Sequence, residues 1–265
     1  MRSYILETPV DPLDYASAVK SIVDWIGAME RPCRFVVQTN VNSIVTVQES
    51  SLYSSTLQNA SLSVPDGMPL VWLLRLRGVS IKSRVYGPDL MLMLCEEASK
   101  KGWRCFLYGG KPGVLERLKR RLESLSPGLQ IVGAYSPPFR TLTETEDREI
   151  CEMINAANPD ILWVALGTPK QDIWMYEHRE KLNVSVMHGV GAAFDFLSGE
   201  IRQAPRWMMH SGFEWLYRLM IEPRRLWKRY TINNALFLYY LLLEFLGLGR
   251  YRRPNRPTTK PSSSC

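Results

Sequence analysis

The sequence contains no apolar stretch of the length that crosses a bilayer, about 20 residues. Its apolar run Ala235 to Leu248 has 14 residues and is interrupted by Glu244. The opening M-R-S-Y-I-L-E-T-P-V carries no long apolar segment either, so no secretory leader is expected. The five cysteines lie far apart and make no Cys-x-x-Cys pair. They read as reduced thiols of a cytosolic protein rather than as a disulfide framework or a zinc site. There are only three histidines, without a common ligand spacing, and no Asp-x-Asp. A tightly held metal is therefore not expected, and no cofactor is assigned. G-x-S-x-G is absent, which excludes the serine-hydrolase elbow.

What is present is a chain of 265 residues, 46% apolar, with a net charge of +7. That length allows one large α/β domain or two small ones. The basic excess is concentrated: Arg224 to Cys265 holds nine Lys or Arg against one acid. Such a balance points to an anionic partner: nucleic acid, anionic lipid or a phosphorylated substrate.

Short β-rich runs alternate with helical spacing along most of the chain. Helices are expected over Asp14 to Ala28, Val41 to Leu57, Pro69 to Arg77, Leu90 to Lys101, Pro112 to Leu125 and from Thr143, whose Glu146 completes a capping box. Strands are expected at Arg34 to Val37, Leu62 to Val64, Cys105 to Tyr108, Leu129 to Ala134, Asp160 to Leu166 and Val184 to Met187. The alternation predicts an α/β fold: a mostly parallel, Rossmann-like sheet with helices on both faces. Ligands of such sheets bind beyond the C-terminal strand ends. The post-strand loops are therefore the candidate site: Thr39-Asn40, Asp66-Gly67, Gly109-Gly110, Gly167 to Asp172, and Gly189-x-Gly191.

Asp66, in Pro-Asp-Gly, reads either as a turn residue or as a rim carboxylate taking a proton from a substrate hydroxyl. Thr39 and Asn40 are placed to hydrogen-bond a sugar or phosphate, or to cap the next helix. Gln171 sits on a first helical turn, and Arg84 in K-S-R-V-Y-G either pairs with a phosphate or is exposed. Gly189-Val-Gly191 opens a helix, where backbone N–H groups and the helix dipole favour an anion. Phe194 stands where a dinucleotide fingerprint has its third glycine, so NAD is not read here.

The C-terminal end differs. Ala235 to Leu248, flanked by Arg224 to Arg229 and Arg250 to Arg253, fits a helix lying on an anionic membrane surface. The alternative is a terminal helix packed on the domain or on another subunit. Pro254 to Cys265 reads as disordered. The division expected is a core over 1–222, a basic aromatic helical appendage over 223–250 and a disordered tail over 251–265.

Seven motifs occur in series: T-N at Thr39-Asn40, V-P-D-G-M-P-L-V at Val64 to Val71, R-V-x-G-P-D-L at Arg84 to Leu90, F-L-Y-G-G at Phe106 to Gly110, G-T-P-K-Q-D at Gly167 to Asp172, G-V-G-A-A-F-D-F at Gly189 to Phe196, and A-P-R-W through E-P-R-R-L at Ala204 to Leu226. With these the chain resembles the WecG/TagA/CpsF-type bacterial glycosyltransferases, which move N-acetylmannosaminyl, N-acetylmannosaminuronyl or glucuronosyl groups. The resemblance implies inverting, metal-independent transfer from a UDP-sugar to a polyprenyl-diphosphate-linked sugar. The place implied is the cytoplasmic face of the bacterial cell membrane, in cell-surface polysaccharide biosynthesis. It implies Asp66 as base, aided by Thr39. Asn40, Arg84, Gln171, Gly109, Gly110, Gly189, Gly191 and Asp195 then surround the substrates, with Arg218, Arg225 and Arg229 toward the diphosphate. Departures stand at Gln203, Phe213 and Asp172, and they bear on which sugar is carried. An anionic membrane surface is a further partner, and self-association is left open. Nucleic acid is not a partner in this reading, because no nucleic-acid module is present. A nucleic-acid binder and a non-catalytic membrane scaffold are the readings from other classes.

Overall fold

A computed structural model describes residues 2–29 and 32–248. The expected tail over 251–265 and the basic flank Arg250 to Arg253 lie outside the described residues.

The chain opens with an antiparallel pair, β1 (Ser3–Ile5) and β2 (Thr8–Val10). Then follow α1 (Tyr15–Gly27), β3 (Arg34–Thr39), α2 (Val41–Glu49), α3 (Ser51–Gln58), β4 (Leu62–Pro65), α4 (Met68–Leu76), α5 (Gly87–Lys101) and β5 (Arg104–Gly109). The second half runs α6 (Val114–Leu125), β6 (Gln130–Tyr135), α7 (Glu144–Ala157), β7 (Ile161–Ala165), α8 (Lys170–His178), β8 (Val186–Gly189) and α9 (Ala193–Leu197). Three further helices close the described chain: α10 (Arg206–His210), α11 (Glu214–Ile221) and α12 (Pro223–Phe245).

β3 to β8 form one six-stranded sheet, in the order β4-β3-β8-β7-β5-β6, with every neighbour parallel. Side chains alternate along each strand, so the sheet feeds two cores. Val36, Leu107, Trp163 and Val186 pack beneath α1, α5 and α6. Phe35, Val37, Leu162 and Met187 pack beneath α3, α7 and α8. The mostly parallel sheet with helices on both faces is thus the observed fold.

The structure departs from the sequence expectation in two places and decides between two alternatives in a third. The helix expected over Val41 to Leu57 is two helices. Ser50 adopts extended backbone, ends α2 and caps α3 by accepting from the Tyr53 N–H at 3.2 Å. The β1–β2 pair was not expected. Its turn uses Leu6 and Glu7 at positive φ instead of the Asn-Gly that marks such turns in sequence. Burial of Leu6 in a third apolar cluster offsets that strain. The C-terminal helix is also seated on the core. Phe237 of α12 is buried against Ile44 and Val45 of α2 and Leu70 and Leu74 of α4. Glu244 pairs with Arg77, and Asn233 bonds Asn42 at 2.7 Å.

Candidate active site

A cleft of about 1260 Å³ opens beyond the C-terminal ends of the strands. Its walls are the loops after all six strands of the sheet, β3 to β8, and its cover comes from α11 and α12. This is where a parallel sheet gathers free loop backbone and helix N-termini.

Asp66 reaches the cleft because β4 ends at Pro65 and the chain turns into α4 through Gly67 at φ 140°, a conformation that glycine adopts without strain. Its backbone N–H donates to the Thr39 carbonyl at 2.7 Å, which ties the β4 end to β3. Burial pushes the Asp66 carboxyl up to about 6. Arg84 opposes that rise, Glu214 adds to it, and Arg218 and Arg229 oppose it. A carboxyl at that value is ionised at neutral pH and still basic enough to take a proton.

Asn40 lines the cleft and caps α2, accepting from the Ser43 N–H at 3.3 Å. Thr39 does not reach the cleft. One residue earlier on an alternating strand, it points to the opposite face, is 0% exposed, and has its Oγ1 2.5 Å from Ser63 Oγ. The neighbour that does line the cleft is Gln38, which the sequence reading passed over.

Arg84 stands behind the wall. It pairs with Glu214 at 2.6 Å and lies over the Tyr86 ring at 4.6 Å. It thereby fastens the α4–α5 loop to α11 while its charge acts on Asp66. Gln171 lines the cleft at 1% exposure, accepting from the Gly167 N–H at 3.2 Å. Asp172, behind it, accepts from Tyr53 Oη at 2.8 Å, and burial pushes its carboxyl up to about 7.

The four glycines divide. Gly110 and Gly191 line the cleft at positive φ. Gly109 and Gly189 instead permit close packing. A Cβ at Gly109 would meet the Ala165 carbonyl oxygen at 2.4 Å. One at Gly189 would meet Gln171 Nε2 at 2.9 Å and Asp172 Oδ1 at 3.0 Å. Asp195 of α9 lines the cleft, raised by burial and lowered by Lys111 and Arg225.

Arg218, Arg225 and Arg229 all line the cleft, though on two helices. Pro223 opens α12 after a break, so they do not share one continuous helix face. Arg218 covers the Phe196 ring at 5.3 Å. Arg225 pairs with Glu222 at 2.6 Å. Arg229 is half-buried, desolvation works against its charge, and its Nε has no partner. The sequence reading also missed Lys111 and Glu214 of the lining. Their signals, a lysine after a glycine pair and an acid opening a helix, are too common to single out.

Among the described residues one Asp–Cys–His group comes together: Asp147, Cys151 and His178, within 4.8 Å. Both ring nitrogens of His178 are engaged, Nδ1 with the Trp174 carbonyl at 2.7 Å and Nε2 with Asp147 at 2.9 Å. The trio acts as a clip between α7 and α8.

A rim carboxylate, glycine turns at the sheet edge and arginines from α11 and α12 converge on one cleft, an arrangement that can take a proton and hold an anion. The chain belongs to the WecG/TagA/CpsF family of glycosyl transferases, whose pattern matches residues 3–251. It is 36% identical over 209 residues to the N-acetylglucosaminyldiphosphoundecaprenol N-acetyl-beta-D-mannosaminyltransferase of Bacillus subtilis, covering 78% of this chain and 79% of that protein. It is 31% identical over 225 residues to the protein of the same name from Bacillus spizizenii, covering 83% and 85%.

Proposed function

We propose that this glycosyltransferase moves N-acetylmannosamine from UDP to a hydroxyl of a polyprenyl-diphosphate-linked N-acetylglucosamine, with inversion, during cell-surface polysaccharide assembly. The relatives' names supply the sugars. The observation that carries the mechanism is a basic carboxylate, Asp66, in one cleft with three arginines.

In this reading Asp66 takes the proton of the acceptor hydroxyl as that oxygen bonds the anomeric carbon. The bond from that carbon to the diphosphate breaks, and UDP leaves with the electron pair. Arg218, Arg225, Arg229 and the amides of the Gly110 and Gly191 turns meet the charge that develops. Asn40 and Gln171 orient the sugars.

No described helix is long and apolar enough to cross a membrane. The outer side of α12 is nevertheless apolar, with Leu238 at 66% and Phe245 at 78% exposure, beside the exposed Arg224 and Lys228. That face supports peripheral attachment to an anionic membrane, where the lipid-linked acceptor resides.

The test is an incubation with UDP-N-acetylmannosamine and a short-chain lipid-diphosphate N-acetylglucosamine, with the product weighed by mass spectrometry. One added N-acetylhexosamine and stoichiometric UDP are expected, and turnover is expected to continue in EDTA. No transfer from any UDP-sugar would end this reading. Dependence on added Mg²⁺ or Mn²⁺ would remove the arginines from their assigned task.

A further inference from the structure

Gln38 is a polar side chain on the cleft lining with only 6% exposure. It and the fully buried His188 point to the same side of the sheet, from the adjacent strands β3 and β8. Gln38 Nε2 lies 2.9 Å from His188 Nε2. His188 is enclosed, with Trp163 against its ring at 5.5 Å. Burial holds it down to about 3, so it stays neutral. A neutral ring that accepts the amide N–H at Nε2 carries its own proton on Nδ1. That Nδ1 and Gln38 Oε1 have no partner. Buried polar atoms without partners are few in folded proteins, and each costs about 1–3 kcal/mol unless something completes it.

The position narrows what that something is. Gln38 pairs in register with Val64, and Asp66 follows two residues later, just past the end of β4. Strand spacing and rise put the Cα atoms of Gln38 and Pro65 about 6 Å apart, with Asp66 the next residue. A group read by Gln38 is therefore about one substituent away from the carbon at which Asp66 directs attack. On a sugar donor that is the C2 substituent. With its Nε2 given to His188, the free Gln38 Oε1 is an acceptor, which matches the N–H of an acetamido group.

We propose that Gln38, braced by His188, is the subsite that reads the acetamido group at C2 of the transferred sugar. This rests on the transfer reaction proposed above and adds to it the residue that selects the donor. Thr39, next along β3, takes no part.

The experiment compares kcat/KM for UDP-N-acetylmannosamine and for UDP-mannose, with one acceptor, in the wild type, Gln38→Leu and Gln38→Glu. The wild type is expected to favour the acetamido donor. Gln38→Leu keeps the side-chain volume and is expected to lower that preference about 10- to 100-fold, the range for one lost polar contact. Gln38→Glu keeps the shape, exchanges the amide N–H for an acceptor, and is expected to lose the preference as well. Thermal melts confirm that each variant is folded. An unchanged preference in either folded variant overturns the proposal while leaving the reaction standing. A wild type that transfers neither sugar, nor any other, sinks the reaction and the subsite with it.

Discussion

Asp66 gains its basicity from its surroundings. A carboxyl raised to about 6 is mostly ionised at pH 7 and loses that form as the pH falls. Ionisation is the working state of a general base, so kcat/KM should be level above that value and fall about tenfold per pH unit below it. Asp66→Asn is expected to leave the melting temperature and UDP binding near wild type. Transfer should drop roughly 10²-fold or more, and the acid limb should disappear. A variant that keeps both rate and limb would make Asp66 an ordinary turn residue. The contrast between Thr39 and Gln38 shows what single residues disclose. The Thr-Asn pair located the right loop, but strand alternation decides which neighbour faces the cleft, and a one-residue difference reverses that. Sequence gave no cue to the phase, because both faces of a parallel strand are buried.

Elements with strong local signals were readable in advance. The Thr143–Glu146 capping box of α7 forms both of its bonds. Each apolar run expected as a strand is one, within two residues at its ends. Where local chemistry was atypical, reading failed, as at the Leu6-Glu7 turn and at Ser50, which interrupts a continuous apolar period. α12 was readable as a helix, but its seat on the domain was only one of two alternatives, since its apolar residues run around the whole circumference. The structure divides that circumference. Phe237 is 5% exposed inside an apolar cluster, whereas Phe245 faces outward. Phe237→Ala is therefore expected to destabilise by about 3–5 kcal/mol in denaturant titration, and Phe245→Glu by under about 0.5 kcal/mol. Equal effects would show that α12 does not rest on α2 and α4.

For the molecule as a whole, the cleft's cover and the apolar outer surface are two sides of one helix. Leu242→Glu together with Phe245→Glu should lower co-sedimentation with anionic vesicles. It should also slow transfer to a long-chain lipid acceptor, while a short-chain acceptor in solution is used at the wild-type rate. Full vesicle binding by that double variant would return the outer face to a contact with protein.

The position of α12 in the chain has a consequence for biogenesis. All eight strands of the described residues precede it, and it supplies Arg225, Leu226 and Arg229 to the cleft. During synthesis the sheet leaves the ribosome first, so an early folding core is in place while its cover is still being made. A nascent chain at that stage has the base but lacks two of the three arginines. Under the proposed mechanism competence arrives with the last helix, and a message broken before Pro223 is expected to yield a protein without transferase activity.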